Sequence, residues 1–253
     1  MDYSQLTIVN FLKLMNKQHL AQLAKKTLLS PWYRSKRRKP IKFGDLRNVK
    51  PISECYGFDR GLPIDRYYIE NFLASHAEDI RGNVMEIGDS YYTDKFGGNR
   101  VQHKDVFHAV EGNPVATIVG DLTQADHILD NTFDCLILTE TLQLIYEIRQ
   151  ALQTIYRILK PGGVVLATVP GISQISDSTW RNSWYWNYTS LSMERLFAEV
   201  FLPENLQVEA YGNVLTATSF LQGLAMQELN QEELDYRDSN YELKITIRAQ
   251  KEL

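Results

Sequence analysis

The chain has 253 residues, 44% of them apolar and 23% charged, with 27 basic residues against 31 acidic ones for a net charge of −4. Such a chain can bury one sizeable core, as one main domain with at most a small appendage. Its two cysteines, Cys55 and Cys135, lie far apart without metal-ligand spacing, which excludes a disulfide framework and a zinc motif. No apolar run is long enough to span a bilayer and the amino terminus lacks the pattern of a signal peptide. The expectation is a soluble protein of the reducing cytoplasm.

The charge is unevenly spread. Lys13, Lys17, Lys25, Lys26, Arg34, Lys36, Arg37, Arg38, Lys39, Lys42, Arg47 and Lys50 crowd the first fifty positions, opposed only by Asp2 and Asp45. Ile8, Phe11, Leu12, Met15, Leu20, Leu23, Ala24 and Leu28 recur among them at helical spacing, which predicts an amphipathic helix or helix pair. Its apolar face needs a partner, and the main domain, a second subunit or a membrane surface would each serve. Residues 34 to 61, broken by Pro40, Gly44, Pro51 and Gly57, read as a linker or ordered arm. The organisation is thus a helical, basic arm over residues 1–60 and a main domain over 61–253.

The main domain opens with a predicted helix from Ile64 to Ala77, with Pro63 suited to its first turn. Short apolar runs bounded by turn residues then predict strands at Val84–Ile87, Val106–Val110, Ala116–Val119 and Phe133–Leu138. An amphipathic helix from Tyr146 to Leu159 stops at Lys160-Pro161-Gly162-Gly163, and a fifth strand follows at Val164–Val169. Beyond the aromatic cluster Trp180, Trp184, Tyr185, Trp186 and Tyr188, a helix capped by Ser190 or Ser192 leads to a strand at Leu206–Tyr211. A helix at Thr218–Glu228 and a last strand at Leu243–Ala249 complete the pattern. Five crossover strands followed by helix, strand, helix and strand predict an α/β fold: a doubly wound, mostly parallel sheet with an antiparallel strand near its end.

In such a sheet ligands bind outside the carboxyl ends of the strands. Those ends are Glu86-Ile87-Gly88-Asp89, Glu111-Gly112-Asn113-Pro114, Gly120-Asp121-Leu122, Thr139-Glu140-Thr141 and Pro170-Gly171. A carboxylate after the second strand, Glu111, has the two acceptor oxygens that a pair of ribose hydroxyls requires. Asp121 could accept from an exocyclic amine while Leu122 offers an apolar contact to a purine, and Gly88 and Gly112 permit close backbone approach. Each acid alone is more often a helix cap or turn former; in this order they favour a nucleoside site.

These motifs, with Phe133-Asp134-Cys135-Leu136-Ile137-Leu138-Thr139 and Leu159-Lys160-Pro161-Gly162-Gly163-Val164, resemble those of class I S-adenosylmethionine-dependent methyltransferases over about residues 60 to 250. Within that family the chain looks most like the compact enzymes found beside glycosyltransferases and natural-product pathways. The resemblance implies a Rossmann-like fold, S-adenosyl-L-methionine as cofactor, and O-methylation of a saccharide or secondary metabolite. It places Glu86, Gly88, Asp89, Tyr92, Glu111, Gly112, Asn113, Asp121, Leu122 and Thr139 around the cofactor. A small-molecule or glycan acceptor is the implied partner. A glycosyltransferase or a membrane surface is a further partner for the basic amino-terminal helix, an oligomer stays open, and nucleic acid is disfavoured because the main domain interleaves no basic and aromatic residues.

The chain departs from the family pattern in two places. Too few residues separate Glu111 from the third strand for a crossover helix, which with its turns takes about ten to twelve residues, so an extended loop is expected. After Gly88 the glycines are replaced by Ser90-Tyr91-Tyr92-Thr93, and Gly97-Gly98-Asn99 interrupts any helix there. Hydroxyls of Tyr91, Tyr92 and Thr93, with Tyr67 or Tyr68 closing the pocket, could replace the lost backbone contacts, or the tyrosines could be core. For a general base only Glu140 and Asp177 are available, since Gln143 stands where many relatives carry histidine. His103, Asp105 and His108 are not expected to bind metal, because strand alternation would separate them. The tryptophan-rich stretch could stack on a sugar or pack as a lid. A non-catalytic binding or scaffolding subunit is the rival reading.

Overall fold

The computed structural model describes residues 42–175 and 180–253. The expected amino-terminal helix and most of the basic arm lie outside the described residues, as does Asp177. Residues 48–253 form one compact unit. Within it residues 48 to 61 pack on the segment after the fourth helix, where Ser53 N–H donates to the Gln222 carbonyl at 3.0 Å.

Seven strands make a single sheet: β1 Gly82–Ile87, β2 Val101–His108, β3 Ile118–Val119, β4 Phe133–Thr139, β5 Leu159–Pro170, β6 Leu206–Tyr211 and β7 Lys244–Gln250. Their order is β3-β2-β1-β4-β5-β7-β6. All neighbours are parallel except that β7 runs antiparallel to both β5 and β6. The order reverses between β1 and β4, so the carboxyl ends of these two strands flank the switch point.

The helices follow from the apolar periodicity. They are α1 Ile64–Ser75, α2 Ile148–Ile158, α3 Ser190–Phe197, α4 Val214–Leu221 and α5 Gln231–Asp235. One core fills the sheet face under α2 and α3, around Leu136, Leu138, Leu152, Ile155, Phe197 and Ile247. A second lies under α1, around Ile69, Leu73, Val84, Ile137 and Leu166. β7 shows how one strand serves both: Ile245, Ile247 and Ala249 alternate into the first core, whereas Lys244 and Arg248 meet acids beside α1. Arg248 forms a two-pronged pair with Asp79 at 2.7 and 2.9 Å, tying the end of the α1 segment to the strand.

Several predicted boundaries move for local reasons. The fifth strand begins at Leu159, because Pro161-Gly162-Gly163 forms an irregularity inside it rather than a turn before it: Phe133 pairs with Leu159 and Cys135 already with Val164. The cap of α3 is Thr189, whose side chain accepts from Ser192 N–H while Ser192 Oγ donates back to the Thr189 carbonyl. Ser190 instead bonds Glu242. Asn213 caps α4 and starts it four residues before the predicted Thr218. β2 begins at Val101 and so contains His103, Asp105 and His108.

The connection from β2 to β3, residues 109 to 117, has no helix, as its length requires, and neither has residues 120 to 132 between β3 and β4. That edge of the sheet is closed by loops alone.

Candidate active site

Beyond β1 the chain turns through a short, irregular helical segment over residues 91 to 100. Glu86 organises it. The carboxylate, 2% exposed, accepts the Tyr92 N–H at 3.0 Å, and the Thr93 N–H and hydroxyl, each at 2.7 Å. Burial pushes the Glu86 carboxyl up to about 7, against the pull of these three donors. This corrects the expected cofactor role of Glu86: both its oxygens are spent on the turn. Asp89 likewise accepts the Tyr91 N–H at 2.8 Å, leaving one oxygen free at an exposed position.

The β1 and β2 ends carry most of the residues expected around the adenosyl group. Gly88 has φ +90° and Gly112 φ +104°, left-handed values suited to glycine, and open space stands where a Cβ would be at each. Asn113 joins the two ends by donating to the Gly88 carbonyl at 2.6 Å, so it positions the loop. Glu111 and Asp121 are exposed; Asp121 uses one oxygen on the Thr123 N–H at 2.8 Å and keeps the other. Leu122 is corrected: it is 3% exposed and packs in the core with Ala125 and Ile128, so its side chain is no open platform for a purine. Two open glycines between free carboxylates fit a nucleoside, which needs close backbone approach and acceptors for its hydroxyls and amine.

The end of β4 carries a buried ionic network. Glu140 has φ +50°, a left-handed conformation that is costly for a side chain with a Cβ. Its carboxylate bonds Lys244 Nζ at 2.7 Å and accepts the Thr168 hydroxyl at 3.2 Å, and Lys244 also reaches Asp65 at 3.6 Å. Burial holds Glu140 above the usual carboxylate range, although Lys244 pulls the other way. Glu140, a candidate base by sequence, therefore fixes the loop after Thr139 through one carboxylate oxygen, Oε1, which takes both Lys244 and Thr168. Arg66, from the first turn of α1, donates to the Tyr92 hydroxyl at 2.9 Å. Burial works against its charge, yet Asp65, Tyr92 and Glu140 hold its guanidinium above the ordinary value.

Neither Tyr67 nor Tyr68 closes this pocket. Tyr67 bonds Asp235 and Gln231, and Tyr68 donates to the Leu234 carbonyl at 2.9 Å, both toward α5. The sequence reasoning missed Arg66, Asp65 and Lys244. A signal for Lys244 was present: a lysine opening an otherwise apolar strand must find a carboxylate if buried.

Residues 180 to 188 cross over the loop after β4. The N–H groups of Tyr185 and Trp186 donate to the Gln143 carbonyl, Trp186 Nε1 to the Ile145 carbonyl and the Tyr188 hydroxyl to the Leu142 carbonyl. Tyr146 stacks on Trp186 and meets Tyr185 edge-on, yet Tyr146 and Tyr185 remain exposed, as does Trp180. Gln143 is 2% exposed and donates to the Glu140 carbonyl at 2.8 Å, while its Oε1 has no partner among the described residues.

His103 and Asp105 share a face of β2 and pair at 3.2 Å, contrary to the expected separation of the two, whereas His108 points to the other face. No group of three potential metal ligands occurs among the described residues.

Residues 73–167, from the end of α1 into β5, match the family model described as a methyltransferase domain. No curated protein matches the chain by sequence. A solved methyltransferase dependent on S-adenosylmethionine, from Archaeoglobus fulgidus, is 12% identical with a TM-score of 0.50, over 74% of this chain and 94% of that one. Another from Thermotoga maritima is 16% identical with a TM-score of 0.49, over 79% of this chain and 99% of that one. The chain thus resembles a methyltransferase domain over residues 73–167 and shares the fold of the Archaeoglobus methyltransferase. No helix among the described residues is long and apolar enough to cross a membrane.

Proposed function

We propose that the protein transfers a methyl group from S-adenosylmethionine to a hydroxyl of a saccharide or a secondary metabolite. When bound, the cofactor supplies a sulfonium methyl group, and the protein's task is to hold a nucleophile in line with it. Gly88, Gly112, Glu111 and Asp121 are the residues suited to the adenosyl half.

The observation that supports the acceptor class is the aromatic wall beyond β4. Tyr146 and Tyr185 expose ring surface there, and Trp180 lies close by in sequence on the same segment. Such rings bury the apolar face of a sugar or phenol while leaving its hydroxyls free to bond. Glu140, which uses one oxygen on Lys244, and Asp177 are the carboxylates for the base in this proposal.

The test uses tritium-labelled S-adenosylmethionine with panels of saccharides, phenols, amines and thiols. Label should pass to hydroxyl acceptors, and Tyr185→Ala should raise KM for the acceptor more than it lowers kcat. Label on amines alone, or none from protein that binds S-adenosylhomocysteine, overturns the acceptor class.

A further inference from the structure

We propose that Arg66 receives the carboxylate at the amino-acid end of the cofactor, in place of the helix amino terminus that the first crossover has lost. The inference rests on S-adenosylmethionine being the ligand. In a doubly wound sheet, an anionic group beyond the first strand ordinarily meets unpaired N–H groups at the start of the following helix. Here the four such groups from Tyr91 to Asp94 are used internally. The Tyr91 N–H goes to Asp89, those of Tyr92 and Thr93 to Glu86, and that of Asp94 to the Ser90 carbonyl. A carboxylate arriving beside Gly88 finds none of these four open to it, and a further donor would strengthen its hold.

Arg66 is placed to supply it. Its Nη1 donates to the hydroxyl of Tyr92, a residue of that same turn, and this is its one side-chain hydrogen bond among the described residues. A guanidinium carries five N–H donors in a fixed fork. The side chain is half-buried, and none of its nitrogens is among the sealed atoms that lack a partner, so the unused donors open onto free space. Tyr92 is 5% exposed and packed between Tyr91 and Phe96, so it holds the fork in a fixed orientation before any ligand arrives.

The surrounding charges select the kind of anion. Asp65 and Glu140 share the single ammonium of Lys244, and Arg66 offsets the second carboxylate. An amino-acid end carries one carboxylate and one ammonium and leaves that balance unchanged. A bare phosphate would leave negative charge uncompensated in a half-buried site. The carboxylate can meet the fork through two parallel hydrogen bonds, which an ammonium in the same place could not form.

Calorimetric titration tests the assignment with two probes: S-adenosylhomocysteine, and 5′-methylthioadenosine, which has the same nucleoside but no amino-acid end. Arg66→Met should weaken S-adenosylhomocysteine about 10- to 100-fold, the range for a charged hydrogen-bond partner, and leave 5′-methylthioadenosine unchanged. Arg66→Lys should recover part of the loss. Tyr92→Phe, which keeps the ring and removes the anchor, should weaken the first probe less and spare the second. Equal loss for both probes, or no loss for the first, overturns the role of Arg66 while the cofactor reading stands. A folded wild-type protein that binds neither probe overturns both.

Discussion

The two halves of the sheet are built on different terms. On the side of β4, β5 and β7, helices cover both faces, and the strand ends are held by the buried contacts of Glu140, Lys244 and Asp65. On the side of β2 and β3, loops replace both crossover helices, β3 is two residues long, and Val110, Val115, Val119 and Leu129 are exposed. The proposed methyltransferase site would span this divide. In that proposal the amino-acid end and the acceptor would fall to the rigid half, where charge is buried and each partner is costly to lose. The nucleoside would fall to the open half, where carboxylates wait in solvent and glycines leave room.

The largest effect should come from the rigid half. Lys244→Met leaves the buried carboxylates of Glu140 and Asp65 without their cation, and should cost about 3–5 kcal/mol in urea denaturation. Adding Glu140→Gln to that variant should restore part of the loss. A loss below about 1 kcal/mol would remove the contrast between the halves.

Glu86 offers a pH test of similar origin. Its folded value of about 7 lies above the ordinary 4.5, so the folded state holds the proton more tightly than the unfolded one. The stability this contributes is full below about pH 4.5 and is lost as pH rises through about 7, some 3 kcal/mol at about 1.4 kcal/mol per tenfold. Denaturation midpoints between pH 4.5 and 8 should therefore fall in the wild type relative to Glu86→Gln. Parallel curves would mean that the three hydrogen bonds to Glu86 balance its burial.

The sequence made the sheet legible because buried parallel strands are apolar runs and the turn residues between them are distinctive. Even the missing helix after β2 could be counted from the distance between Glu111 and Ile118. The first crossover was legible only as a loss: the glycines were visibly absent, but Glu86 accepting three hydrogen bonds from its own turn depends on a backbone path that spacing does not specify. The ionic network was hidden for a different reason. Asp65 and Lys244 are separated by most of the domain, and pairing across such a distance follows from β7 inserting beside β5, which no local pattern encodes. Leu122 was misread because an apolar residue at a strand end serves core or ligand equally well until the core is seen.

The smaller effects belong to the open half. Glu111→Ala and Asp121→Asn should each weaken S-adenosylhomocysteine by about 1–3 kcal/mol, as for a lost hydrogen-bonding partner, while stability moves by no more than about 0.5 kcal/mol. Asparagine is chosen at 121 because its oxygen can still accept the Thr123 N–H and keep the turn. Both residues are exposed, so a large loss of stability would show that this edge is held together as tightly as the other.

The smallest effect is expected at Leu129, which is 77% exposed in the loop between β3 and β4. A leucine so open loses almost no buried area on replacement, and Leu129→Ser should leave stability within about 0.5 kcal/mol and S-adenosylhomocysteine binding unchanged. Denaturation measured at two protein concentrations a hundredfold apart sharpens the result. A cost above about 1 kcal/mol that grows with concentration would mean that a second copy covers this edge, and that the openness of β2 and β3 belongs to the isolated chain rather than to the working protein.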